Sequence, residues 1–138
     1  MNSLDAPSPL LVPVPDGVLV PGLTTRELGR LGEDLAAAHL AASGWRVVDR
    51  NVQIGRGELD IIALEDRTLV FVEVKTRRSL LTGVPQAAVT ARKCQQLRRL
   101  AGQYLLGSAP PHRDLRIDVL AVFAGPDACS LEHLRAVA

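Results

Sequence analysis

Two rhythms of apolar and polar positions run through the chain. Between Thr25 and Ser43 apolar residues recur every three or four positions, and Leu28, Leu31, Leu35, Ala38 and Ala42 form the main stripe of an amphipathic helix. Thr24-Thr25-Arg26-Glu27 fits a capping box with Thr24 as N-cap, and Gly44 suits the position just past the helix end. Arg26, Glu27, Arg30 and Asp34 mark the wet side. Glu33 falls at the border, beside Gly29, Ala36, Ala37 and Leu40, where small side chains admit close approach by another element.

From Trp45 the rhythm shortens. Trp45 to Arg50 reads as a short peripheral strand, 53–57 as a turn or bulge, and Glu58 to Leu64 as a second strand. A tight polar link at 65–67 leads into Thr68-Leu-Val-Phe-Val-Glu-Val-Lys-Thr76, an apolar, β-branched run typical of a strand buried on both faces. Two strands with so short a link form an antiparallel hairpin. Beyond it, Thr76 to Gly83 is a basic loop and Pro85 to Val89 one helical turn. Thr90 caps a second helix from Ala91 to Leu106, with Leu97, Leu100, Ala101 and Tyr104 on its apolar line. Asp114 to Phe123 and Ser130 to Val137 are the last strands, separated by a turn at 125–127. Residues 1–23 hold five of the nine prolines and read as an extended tail, so the single domain is expected at 24–138.

Side-chain parity gives the hairpin its chemical interest. Glu73 and Lys75 share the strand face of Leu69 and Phe71, while Val70, Val72 and Val74 point the other way. A two-residue loop at 65–66 pairs Asp60 with Phe71, and a four-residue loop at 65–68 pairs Asp60 with Glu73. Either register puts Glu58, Asp60, Glu73 and Lys75 on one face. Carboxylates at cross-strand distance repel and raise one another's pKa. A hard divalent cation, Mg²⁺ or Mn²⁺, relieves that repulsion through oxygen ligands and can acidify a water beside a phosphodiester. Lys75 would then orient or deprotonate the water, or stabilise the transition-state charge. An ordinary surface lattice of ion pairs is the competing reading of a Glu-x-Lys strand. Against it stand Asp60 thirteen residues before Glu73 with matching parity, a glutamate on the preceding helix, and an acid-free basic stretch that follows.

That stretch matters more than the net charge. The chain of 138 residues carries only +1 overall, yet Val74 to Arg113 contains no Asp or Glu, while Lys75, Arg77, Arg78, Arg92, Lys93, Arg98, Arg99 and Arg113 contribute eight positive charges. Such asymmetry suits one surface to a nucleic-acid backbone. Arg77, Arg78, Arg92, Lys93, Arg98 and Arg99 are the candidate contacts, although Lys93 lies one turn before Leu97 and its head could instead reach inward. With 47% apolar and 22% charged residues the chain has the composition of a globular protein. No apolar run approaches a bilayer span, and prolines interrupt the N-terminal apolar stretch, which has no Lys or Arg before Arg26. Cys94 and Cys129 show no metal-ligand spacing and suggest no disulfide framework, so a reducing cytoplasm is expected. His39, His112 and His133 are scattered, and Gly55-Arg-Gly57 is too short for a phosphate loop.

Gly57-Glu-Leu-Asp-Ile-Ile62 followed by Val70-Phe-Val-Glu-Val-Lys75 resembles the PD-(D/E)xK nuclease superfamily. The order Gly32-Glu33, Gly44-Trp45, Arg50-Asn51, Gly57-Glu-Leu-Asp60, Phe71-Val-Glu-Val-Lys75, Lys93 and Arg116-Ile-Asp-Val119 resembles, more specifically, the YraN-like bacterial family (uncharacterised protein family 0102). The resemblance covers about residues 26 to 137. It implies an α/β fold with a restriction-endonuclease-like core, a mixed sheet with a central hairpin flanked by helices, similar to archaeal Holliday-junction resolvases. By position, Asp60 and Glu73 would ligate the metal, Val74 would add its carbonyl, Lys75 would be the catalytic lysine, and Glu33 would complete the site. Leu59 stands where the superfamily motif often has proline. The function so implied is a Mg²⁺-dependent DNA endonuclease, acting on branched or single-stranded DNA and dimeric by analogy with the resolvases. A nucleic-acid-binding or adaptor module that keeps the architecture without turnover is the alternative.

Overall fold

The computed structural model describes residues 10–78, 89–107 and 109–138. The helical turn expected at 85–89 falls almost wholly outside these, as does the basic loop beyond Arg78. Six strands form one mixed sheet in the order β1-β6-β5-β4-β3-β2. They are β1 (Leu10–Pro13), β2 (Arg46–Ile54), β3 (Gly57–Glu65), β4 (Thr68–Arg77), β5 (Asp114–Ala124) and β6 (Ala128–Leu134). Helices α1 (Thr25–Ala42) and α2 (Ala91–Leu105) cover opposite faces. Only the β4–β5 pair is parallel, because α2 carries the chain across the sheet between them. This is an α/β domain consistent with a restriction-endonuclease-like fold. Among the described residues no helix is long and apolar enough to cross a membrane.

The central strands carry the core as their sequence suggests. On the α1 side Val70 and Val72 pack with Leu120 and Val122, and on the α2 side Leu69 and Phe71 pack with Leu97, Leu100 and Ile117. Phe71 meets Tyr104 edge to face at 5.8 Å. The β3–β4 turn is Asp66-Arg67, between the pair Glu65↔Thr68, and the register runs through Leu64↔Leu69 to Ile61↔Val72. Extended by one pair, that register would set Asp60 opposite Glu73.

Residues 10–23, the described portion of the expected tail, are built into the domain. β1 pairs antiparallel with β6, and the short 3₁₀ turn Val20–Gly22 buries Val20 against the α1-side core. Pro13 is tolerated because it closes an edge strand, where a missing N–H is not needed on the solvent side. Arg78, expected to contact nucleic acid, donates instead to the carbonyls of Val20 and Leu23 and ties this segment to the end of β4.

Helix α1 begins with the expected capping box, Thr24 N–H to Glu27 Oε1 at 2.9 Å and Glu27 N–H to Thr24 Oγ1 at 3.1 Å. Its buried face differs from the expected stripe. Leu28, Gly32, Ala36, Ala37 and Leu40 go in, while Ala38 and Ala42 stay exposed. The small residues let the helix lie close on the sheet. A Cβ on Gly32 would stand 1.8 Å from Thr76 Oγ1 and 2.9 Å from Thr76 Cβ. This close approach rotates the helix so that the next residue, Glu33, lies over the sheet margin instead of in solvent.

At the other end of α1, Asp118 is fully buried. Burial works to raise its pKa, but hydrogen bonds from His133 and Arg116 and the N–H of Ala136 outweigh it and hold Asp118 at about 2. Arg116 and Arg135 converge on Glu65 and flank the Trp45 ring at 5.5 and 5.7 Å. None of these groups belongs to the acidic cluster around Asp60, so this network is structural.

Gly32→Ala is expected to cost about 2 kcal/mol of stability by forcing α1 away from Thr76, read by urea unfolding. A neutral result would show that the contact does not set the helix position.

Candidate metal centre

Asp60 is placed by an irregularity in the β2–β3 ribbon. In a regular strand Leu59, Ile61 and Ala63 would share one face. Here Leu59 packs with the α2-side core, while Ile61 and Ala63 pack with the α1-side core. Strand β2 slips likewise. Arg50 reaches Asp34 on α1 at 2.7 Å, and Val52 packs on the α2 side. Between the flanking pairs Arg50↔Ile61 and Val52↔Leu59, Asn51 and Asp60 are not paired, and Asn51 adopts φ +52°. Asparagine tolerates this left-handed conformation better than most residues.

The slip corrects the expectation that Glu58, Asp60, Glu73 and Lys75 share a face. Glu58 and Asp60 turn toward α1, where one oxygen of each and one of Glu33 lie within 4.8 Å of one another. Glu73 keeps the face of Leu69 and Phe71, toward α2. Asp60 still meets Glu73, because β3 and β4 separate beyond Ile61↔Val72 and the aspartate enters the gap. Its Oδ2 accepts the N–H of Val74 at 2.9 Å, and its carboxyl stands within hydrogen-bonding reach of Glu73. Asp60 thus joins two half-sites, Glu33 and Glu58 on one side and Glu73 on the other.

Each carboxylate has a holder. Asn51 Nδ2 donates to Glu33 Oε1 at 2.6 Å and to Glu58 Oε1 at 2.9 Å, and Gln53 Nε2 donates to Glu58 Oε2 at 2.9 Å. Lys93, expected as a phosphate contact, forms an ion pair with Glu73 at 2.6 Å. The capping of α2 by Thr90, whose Oγ1 accepts from Lys93 N–H at 3.1 Å, fixes that lysine in the first helical turn. Lys75 is exposed and forms no ion pair among the described residues. Val74 supplies its N–H to Asp60. Arg92, Arg98 and Arg99 are exposed on α2, whereas Arg77 is already engaged in an interaction.

Asn51 and Gln53 are functional candidates that hydrophobic patterning does not single out. A signal is present all the same: asparagine is disfavoured inside a strand, so Asn51 between Arg50 and Val52 marks a break in regular pairing. Their amides line, together with Glu33 and Glu58, an open groove of about 640 Å³ between α1 and β2. Arg26, Gly29, Arg30, Asp34 and Arg50 form the rest of its walls with Thr25.

Burial, then the Glu73 carboxyl and the Glu33 charge, push Asp60 from 3.8 up to about 8, against the opposing pull of the Val74 N–H. The donor set is wholly oxygen, clustered closely enough to surround one hard cation, and among the described residues Asp60 forms no ion pair. These features fit Mg²⁺ or Mn²⁺ and do not fit a soft thiophilic metal.

An α/β domain with an acidic cluster set where two central strands part is the class that fold and site define. Residues 32–122 match the profile of Uncharacterised protein family UPF0102, and the chain belongs to that family. A UPF0102 protein of Symbiobacterium thermophilum is 51% identical over 105 residues, which cover 75% of this chain and 87% of the relative. One from Beutenbergia cavernae is 48% identical over 111 residues, 80% of this chain and 94% of the relative. One from Chlorobaculum parvum is 47% identical over 115 residues, 79% and 89% of the two chains.

A raised folded-state pKa means that ionising Asp60 opposes folding. The stability of the protonated form is complete below the unfolded value near 3.8 and is lost as pH rises toward about 8. In chelator-treated protein, Asp60→Asn should therefore raise Tm at pH 8, with the gain vanishing near pH 4. Equal Tm values at pH 8 would contradict the placement of Asp60 in a desolvated acidic pocket.

Proposed function

We propose that this protein is a metal-dependent nuclease of the PD-(D/E)xK type that hydrolyses phosphodiester bonds in DNA. The observation that carries this reading is the convergence of Glu33, Glu58 and Asp60, with one oxygen of each within 4.8 Å of the others, and the Glu73 carboxyl on the neighbouring strand acting on Asp60. So many carboxyl groups around one point cost stability unless a cation joins them.

Asp60 and Glu73 are the central ligands in this reading, with Glu33 and Glu58 closing the α1 side and the Val74 carbonyl a further donor. A bound Mg²⁺ or Mn²⁺ supplies charge neutralisation at the scissile phosphate and acidifies a water. The chain's own groups do the rest. Asn51 and Gln53 aim the Glu33 and Glu58 oxygens, and Lys93 holds Glu73 at the β4 edge. Lys75, one alternation beyond Glu73 and with no ion pair among the described residues, is free to orient the attacking water or to hold the extra negative charge of the transition state. Asp60 gives up its proton as a cation arrives, so activity rises with pH through the neutral range.

The test is a titration of purified protein with Mg²⁺ and Mn²⁺ on labelled single-stranded, duplex and branched DNA. Cutting should require the metal and fall at least about 100-fold in Asp60→Ala and Lys75→Ala, within the range expected for loss of an electrostatic or acid–base group. Tight, salt-sensitive binding without cutting at any metal concentration would instead make this a DNA-binding adaptor that keeps the nuclease architecture.

A further inference from the structure

Apart from Lys75, the basic stretch from Val74 to Arg113 brings no described unpaired cation to the α1 side of the acidic cluster. Lys93 is spent on Glu73 and Arg78 on backbone carbonyls. Arg98 and Arg99 ride on α2, and Arg98 lines a different cavity, beside Phe71, Gly102 and Leu105. On the α1 side the situation is reversed. Arg26 and Arg30 lie one helical turn apart on the face that carries Glu33, and all three line the groove that holds Glu58 and Asn51. Both arginines are exposed, and neither forms an ion pair among the described residues. The Glu27 carboxylate, one turn before Arg30, accepts the Thr24 N–H and meets Arg30 only through its charge. Between them Gly29 leaves open space, with nothing beyond its chain neighbours and the helix's own backbone within 4 Å of where a Cβ would stand.

We infer that this groove between α1 and β2 is the channel for the substrate strand, and that Arg26 and Arg30 grip backbone phosphates flanking the one to be cut. The inference rests on the nuclease reading above and assigns its substrate surface to the α1 side instead of the basic face of α2. The charges in the groove support it. Three guanidinium groups, Arg26, Arg30 and Arg50, and three carboxylates, Glu33, Asp34 and Glu58, line its walls. Arg50 and Asp34 cancel one another at 2.7 Å. What remains is a cationic end at Arg26 and Arg30 and an anionic end at Glu33 and Glu58. A polyanion is repelled at the second end until a divalent cation sits there, so strand binding and metal binding should reinforce each other.

The experiment measures binding of a fluorescein-labelled single-stranded DNA by anisotropy, using full-length Lys75→Ala protein so that the strand is not cut. Affinity is recorded with and without Mg²⁺ over a range of salt concentrations. Adding Mg²⁺ should tighten binding. Arg26→Ala combined with Arg30→Ala should weaken it about tenfold or more and lower the salt slope by about 2, one for each phosphate that an arginine no longer neutralises. Arg98→Ala combined with Arg99→Ala should change neither by more than about twofold. All four side chains are exposed, and circular dichroism checks that each variant is folded. If binding persists but depends on Arg98 and Arg99 and not on Arg26 and Arg30, the channel is wrongly placed while the nuclease reading stands. If Lys75→Ala protein binds no DNA with or without Mg²⁺, both fall together.

Discussion

The structure turns on one carboxyl group in a gap between two strands. Asp60 accepts a backbone N–H that an unbroken β3–β4 ladder would have used otherwise, and it does so within reach of Glu73 and near Glu33 and Glu58. A half-buried carboxyl beside other carboxyls is held in its uncharged form or costs stability. The surroundings over-determine its position all the same. The face slip at Asn51 and Asp60, the close packing of Gly32 on Thr76 and the Lys93–Glu73 ion pair each bring one wall of the pocket to the aspartate. Local irregularity kept in place by a regular sheet is a common feature of functional sites.

Much of this frame is legible in the chain. The capping box at Thr24, the strand buried on both faces from Thr68 and the hairpin linking it to β3 all follow from pattern and turn chemistry. So does the convergence of Asp60 and Glu73, although for a partly different reason. Parity predicts a shared face for Glu58, Asp60, Glu73 and Lys75. The slip at Asp60 sends Glu58 to the opposite side, and the parting of β3 and β4 brings Asp60 back to Glu73. A period of two cannot report its own interruption.

Other departures from the pattern have similar causes. Leu31 and Leu35 outweigh Gly32 and Ala36 in any hydrophobic ranking, yet the small residues face the sheet because they allow a shorter helix–sheet distance. The prolines of 1–23 suggest a chain with no partner, but an edge strand needs only one row of hydrogen bonds. Lys93 and Arg78 fall within the basic stretch, but a one-dimensional charge tally cannot show which cations are already paired. Once those pairs are removed, free positive charge stands at Lys75 beyond Glu73 and, on the α1 side of the carboxylates, at Arg26 and Arg30, two residues that helix periodicity assigns only to solvent.

Everything chemical about this protein depends on whether these four acids form one cation site. Calorimetric titration of the chelator-treated protein with Mn²⁺ at pH 7, repeated in buffers of different ionisation enthalpy, measures it directly. The expected result is uptake at a single site centred on Asp60, accompanied by proton release, and abolished in Asp60→Asn. No uptake, or uptake that is unchanged in Asp60→Asn, would contradict it.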